Sequence, residues 1–192
     1  MTSGISDKII ALAKVLRGFG LRKEASDLES LPEGSGSPNV TTFSGILKII
    51  PGNPPTDLQD MLGEYFEKHG LKKILKDSLH ITLLHQDVLR PFAKAIKGKE
   101  IPQYTGSITY GKVYTIKRLS DKEDKYSVFV EINEQDAIKV YVKEVLKSLG
   151  LDENLMEEKR IYHISLANKT GTTDQSVGHS EASPMTIGSD PI

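Results

Sequence analysis

The sequence predicts an α+β fold of two similar lobes about a pseudo-twofold axis, preceded by an N-terminal helical hairpin. One short phrase occurs twice, as Leu79-His80-Ile81-Thr82-Leu83 and Tyr162-His163-Ile164-Ser165-Leu166. Each copy closes the same order of elements, strand then helix then motif strand, over residues 42–85 and again over 126–168. Apolar residues switch between period 3.6 and period 2 along both stretches, the mark of helices alternating with strands.

The elements follow in chain order. Ser6 and Asp7 stand before a helix carrying Ile9, Leu12, Ala13 and Leu16, which Gly18-Phe19-Gly20 breaks. A second short helix over 22–31 carries Ala25 and Leu28, with Leu21 just before it. Residues 1–31 are thus a helical hairpin, too small to hold a core alone and expected to dock on a protein partner. Residues 32–39 contain Pro-Glu-Gly-Ser-Gly-Ser-Pro and read as a flexible linker. The main domain spans 40–170. It opens with a strand over 42–50, and Thr56 and Gln59 form a capping box for a helix with Leu58, Met61, Leu62, Tyr65 and Phe66 on one face. The first motif strand covers 78–85, and a helix over 88–97 buries Leu89, Phe92, Ala93 and Ile96. An extended stretch runs over 103–117, interrupted at Gly111, before a strand over 126–132 with Val128, Val130 and Ile132 on one face. Asn133 caps a helix carrying Ile138, Tyr141, Val142, Val145 and Leu149, and the second motif strand covers 160–168. Residues 171–192 are poor in core-forming residues and are expected to be a mobile tail.

Composition narrows the function classes. A net charge of −1 over 192 residues leaves no bulk electrostatic footprint for long nucleic acid, although local donors can still hold a small anion. With no cysteine there are no disulfides, thiolate nucleophiles or cysteine-rich zinc sites. No apolar run is long enough to span a bilayer, and the N-terminus has no signal-like pattern; a cytoplasmic protein without membrane association is expected.

Side chains alternate along a strand, so the histidine and hydroxyl of each motif share a face while Ile81, Leu83, Ile164 and Leu166 enter the core. Two such strands brought together converge two imidazoles and two hydroxyls on one cleft. Phosphodiester cleavage needs a base for the attacking oxygen and an acid for the leaving oxygen, and histidine suits both because it titrates near neutrality. Thr82 and Ser165 can donate to the nonbridging oxygens, where charge grows in the transition state. No metal or other cofactor is required. A zinc or iron site on His80, His85 and His163 is the competing reading; it is disfavoured because His85 is an odd number of residues from His80 and no carboxylate stands two residues from either motif histidine.

The paired His-x-Thr and His-x-Ser strands, flanked by apolar residues and set in a two-lobed order over about residues 40–170, resemble the two-histidine (2H) phosphoesterase superfamily. The resemblance implies a 2H phosphoesterase-like fold and metal-independent action on 2′,3′-cyclic phosphates, 2′–5′ linkages, RNA ends or cyclic nucleotides. It includes RNA-repair-like members and phage nucleases that destroy cyclic oligonucleotide alarm signals (anti-CBASS nucleases); for a phage-encoded protein the location would be the host cytoplasm. It places catalysis on His80, Thr82, His163 and Ser165. Lys48, Tyr110, Phe129 and Lys169 are the substrate-binding candidates, the aromatics by stacking on a base and the lysines by neutralising phosphate. Tyr104 and Tyr114 share the connecting stretch with Tyr110. The expected substrate is a small nucleotide or an RNA end. A non-catalytic nucleotide- or RNA-binding module is the alternative.

Overall fold

The computed structural model describes residues 38–118, 125–173 and 183–184. The helical hairpin, most of the linker and most of the tail lie outside the described residues. The described part is an α+β domain built on one antiparallel sheet in the order β1-β2-β4-β7-β6-β5-β8, with β3 also paired to β7. Its strands are β1 (Val40–Phe43), β2 (Leu47–Ile50), β3 (Lys72–Lys73), β4 (Ile81–Leu84), β5 (Tyr110–Arg118), β6 (Lys125–Ile132), β7 (His163–Asn168) and β8 (Ser183–Pro184). The helices are α1 (Thr56–Met61), α2 (Gly63–Lys68), α3 (Gln86–Leu89), α4 (Ala93–Ile96) and α5 (Gln135–Ser148). Among the described residues no helix is long and apolar enough to cross a membrane.

One face of the sheet carries the core. Ile49, Ile81, Leu83, Val128, Val130, Ile132, Ile164 and Leu166 are buried there with Phe66 of α2 and with Ile138, Val142, Val145 and Leu146 of α5. The apolar stripe of α5 recurs at three- and four-residue spacing, so burying it against the strands supplies most of what holds that helix in place. Removing these side chains from water stabilises the fold by roughly 1.5–3 kcal/mol each before entropy is counted.

Several sequence expectations change in detail. The strand expected over 42–50 is a hairpin, because Gly45 takes φ 81° and turns the chain between β1 and β2. The helix expected over 88–97 is broken by Pro91 into α3, a 3₁₀ turn at Arg90–Phe92, and α4. Asn133 does not cap α5; Glu134 stands at that position, and its carboxylate accepts from Thr109 N and Oγ1 at 2.8 and 2.6 Å. Asn39, at the end of the expected linker, is anchored: it donates to Gly106 O at 2.8 Å and accepts from Gly52 N at 3.1 Å. Ser183 and Pro184, within the expected mobile tail, pair with Thr115 and Tyr114.

The capping box at Thr56 and Gln59 does not form, since α1 has no side-chain cap. Gln59 is instead buried at 4% exposure, and its amide donates to Ile74 O at 2.9 Å and to Leu166 O at 2.7 Å. It fills the gap where the chain leaves β7 between β3 and β4. Gln59→Leu should therefore lower stability by about 1–3 kcal/mol, seen as an earlier midpoint in urea, because Ile74 O would be left buried without this donor.

Candidate active site

The two motif strands are neighbours at the middle of the sheet. Ile81 of β4 pairs antiparallel with Ile164 of β7. Continuing that register by one residue each way sets His80 beside Ser165 and Thr82 beside His163, on the face opposite the core. Each hydroxyl thus accompanies the other motif's histidine, and the two histidines stand on a cross-strand diagonal, where neighbours are about 7–8 Å apart and their β-carbons somewhat closer. All four side chains are half-buried.

Each motif strand is bulged at the same place. Against β2, Thr82 pairs with Lys48 and Leu84 with Leu47, which leaves Leu83 as the extra residue. Against β6, Ser165 pairs with Phe129 and Ala167 with Val128, which leaves Leu166. Leu83 and Leu84 are both buried, as are Leu166 and Ala167, so alternation resets after each hydroxyl residue. The bulge bends the strand next to the site and fixes where the His-x-Thr and His-x-Ser face ends.

The imidazoles are held alike. His80 Nδ1 lies 2.7 Å from Ser78 O, and His163 Nδ1 lies 2.9 Å from Ile161 O. A carbonyl only accepts, so each ring donates through Nδ1–H and directs Nε2 away from its own backbone. That tautomer leaves Nε2 as the atom for proton transfer.

The flanks differ. On the β2 side, Lys48 lies opposite Thr82, close enough for its charge to disfavour a proton on His80. On the β6 side, Glu131 lies opposite His163 and Phe129 opposite Ser165. Phe129 is fully buried, its ring 4.6 Å from His163 and stacked at 5.5 Å on Tyr114. It therefore has no open face for a base; it backs His163, and the half-buried Tyr114 ring is the outer member of the stack. Tyr114 also lies beside Glu131.

Two of the expected substrate contacts are placed elsewhere. Tyr110 pairs with the core residue Ile132 across β5 and β6, on the face away from the histidines, and its hydroxyl donates to Asn53 O. Lys169 is exposed beyond the end of β7, past the bulge, in a turn where Asn168 Oδ1 accepts from Thr170 N and Gly171 N. Tyr104 is buried edge-on to Tyr141 in the core. Lys48, Phe129 and Tyr114 are at the site; Tyr110, Lys169 and Tyr104 are not.

His85 does not point away from His80 as strict alternation predicts, because the Leu83 bulge shifts the alternation. His85 follows on the His80 side, where its charge also disfavours a proton on His80. Arg160 is packed nearby: it donates from Nη2 to Thr82 O at 3.1 Å, lies 5.9 Å over the Tyr162 ring, and disfavours a proton on His85. It is the clamp that ties the start of β7 to the motif threonine. Among the described residues no group of three or more His, Cys, Asp or Glu is placed to hold a metal ion.

Burial is the largest cause lowering the His80 pKa below its ordinary 6.5; the Ser78 carbonyl opposes it, and Lys48 and His85 add to it. His85 is lowered for the same first reason, with Arg160 adding to it. The unfolded chain takes up these protons near pH 6.5, whereas the folded chain resists until lower pH. Stability should accordingly fall as pH drops from 6.5 through the folded values, and replacing His80 with glutamine should flatten that acid-side loss in a denaturation series.

No family model, curated protein or solved structure matches the chain.

Proposed function

We propose that the protein is a metal-independent phosphodiesterase that cleaves a ribonucleotide phosphodiester by two-histidine acid–base catalysis, in a fold of the 2H phosphoesterase kind. The observation that carries this reading is the cross-strand diagonal of His80 and His163. The two imidazoles share one tautomer, and each has the other motif's hydroxyl at its side. The equivalent bulges after Thr82 and Ser165 support a pseudo-twofold relation between the halves.

The chemistry follows from the geometry. One neutral imidazole takes a proton through Nε2 from the attacking oxygen, and the other, charged, gives one to the leaving oxygen. For a 3′–5′ bond the ribose 2′-OH attacks phosphorus, the bond to the 5′ oxygen breaks, and a 2′,3′-cyclic end forms. For a 2′,3′-cyclic end water attacks and one ribose oxygen leaves. Thr82 and Ser165 donate to the nonbridging oxygens, and Lys48 adds positive charge on one flank.

A screen of cyclic dinucleotides, cyclic trinucleotides and 2′,3′-cyclic ends in excess EDTA tests the reading. The expected result is turnover of at least one of them. Binding without turnover across the screen would favour a nucleotide-binding module. Turnover that EDTA abolishes and a divalent metal restores would favour a metal site.

A further inference from the structure

The row of side chains across the sheet is electrically asymmetric. Lys48 of β2, Thr82 of β4, His163 of β7 and Glu131 of β6 follow one another across the strands on the cleft face, with a cation at one end and a carboxylate at the other. The two motif histidines are alike in sequence, tautomer and backbone anchor, so what distinguishes them is their neighbours. Glu131 belongs to neither motif.

We infer that Glu131 is a positioning residue that keeps His163 protonated and so makes His163 the acid and His80 the base of the pair. The inference rests on the phosphodiesterase reading. Directly opposed residues on one face of an antiparallel pair have β-carbons about 4.5–5.5 Å apart, within the range at which a carboxylate stabilises an imidazolium. Glu131 lies beside Tyr114, and the Tyr114–Phe129–His163 ring contacts brace the ring it faces. Among the described residues His163 is flanked by His80 just before β4, Lys48 on β2, Glu131 on β6 and Tyr114 on β5, with Arg160, His85 and the carboxylates Asp87 and Glu157 that act on His85 towards the end of the β4–β7 pair. Glu131 is the carboxylate directly opposite His163, whereas Lys48 and His85 act on His80. His163 therefore gives its proton to the leaving oxygen, and His80 takes one from the attacking oxygen.

The test uses the full chain and two readouts, the pH profile of kcat/KM and NMR titration of the His163 ring in wild type, Glu131→Gln and Glu131→Asp. In Glu131→Gln the His163 pKa should fall by about one unit and the alkaline limb should move down by the same amount. The acid limb, set by His80, should stay in place, and Glu131→Asp should recover most of the shift. An active Glu131→Gln enzyme with an unmoved His163 pKa and an unmoved alkaline limb would overturn the inference. A wild type inactive on every substrate screened, with the His163 shift still present, would sink the phosphodiesterase reading and the acid role together while leaving the electrostatic pairing in place.

Discussion

Replacing either His80 or His163 with alanine is expected to lower kcat/KM by about 10²–10⁴, the usual worth of one positioned acid or base. The folded state should survive both changes, since each imidazole is half-buried on the cleft face rather than part of the main core. The double variant should lose little more than the worse single variant, because a missing acid already disables the pathway in which the base works. Two independent losses that multiply would argue against one shared site. The wild-type profile should be bell-shaped, and its acid limb should lie below pH 6.5, because burial holds the His80 pKa down and a base must be unprotonated to act. An acid limb above pH 6.5 would contradict the assignment of His80 as base.

The second large effect is structural. Phe129 is fully buried between His163 and Tyr114, on the face of the sheet away from the main core, where it forms a small apolar cluster with Ile116. Phe129→Ala should cost about 3–5 kcal/mol, because truncating a fully buried ring loses its apolar burial and leaves a cavity. Activity should fall as well, by release of the His163 ring, and Phe129→Leu should restore much of the stability but less of the rate. Chemical denaturation and steady-state kinetics on the same variants separate the two losses.

The motifs and the parity of their strands were legible because a period of two needs only the local pattern: His80 with Thr82, and His163 with Ser165, share a face as alternation requires. The adjacency of β4 and β7 is a different kind of fact. It depends on pairing between residues far apart in the chain, and the repeat of the phrase was its sole sequence signal. The bulges had a signal that parity reasoning overlooks. Leu83-Leu84 and Leu166-Ala167 each put two apolar residues in succession after the hydroxyl, which strict alternation does not allow and a bulge does. Missing the first of these placed His85 on the wrong side.

Other misses came from treating side chains as local actors. Thr56 and Gln59 match the capping-box spacing, but two backbone carbonyls in the gap beside β7 take the Gln59 amide, a tertiary demand that the motif cannot express. Tyr110 and Tyr114 lie on the same stretch yet on opposite faces although four residues apart, because β5 is irregular between Tyr110 and Val113. Glu131 and Arg160 carry no motif; one is found by cross-strand register and the other by its bond to Thr82 O.

The most direct measurement is multiple-turnover cleavage in excess EDTA by wild type and by the His80→Ala/His163→Ala double variant, on the best substrate of the nucleotide screen, with the products identified. The account predicts sustained wild-type turnover to a phosphate-terminated ribonucleotide product and a double variant slower by at least about 10² while still folded. A double variant that keeps the wild-type rate, or a wild type that binds the nucleotide and never turns it over, would contradict it.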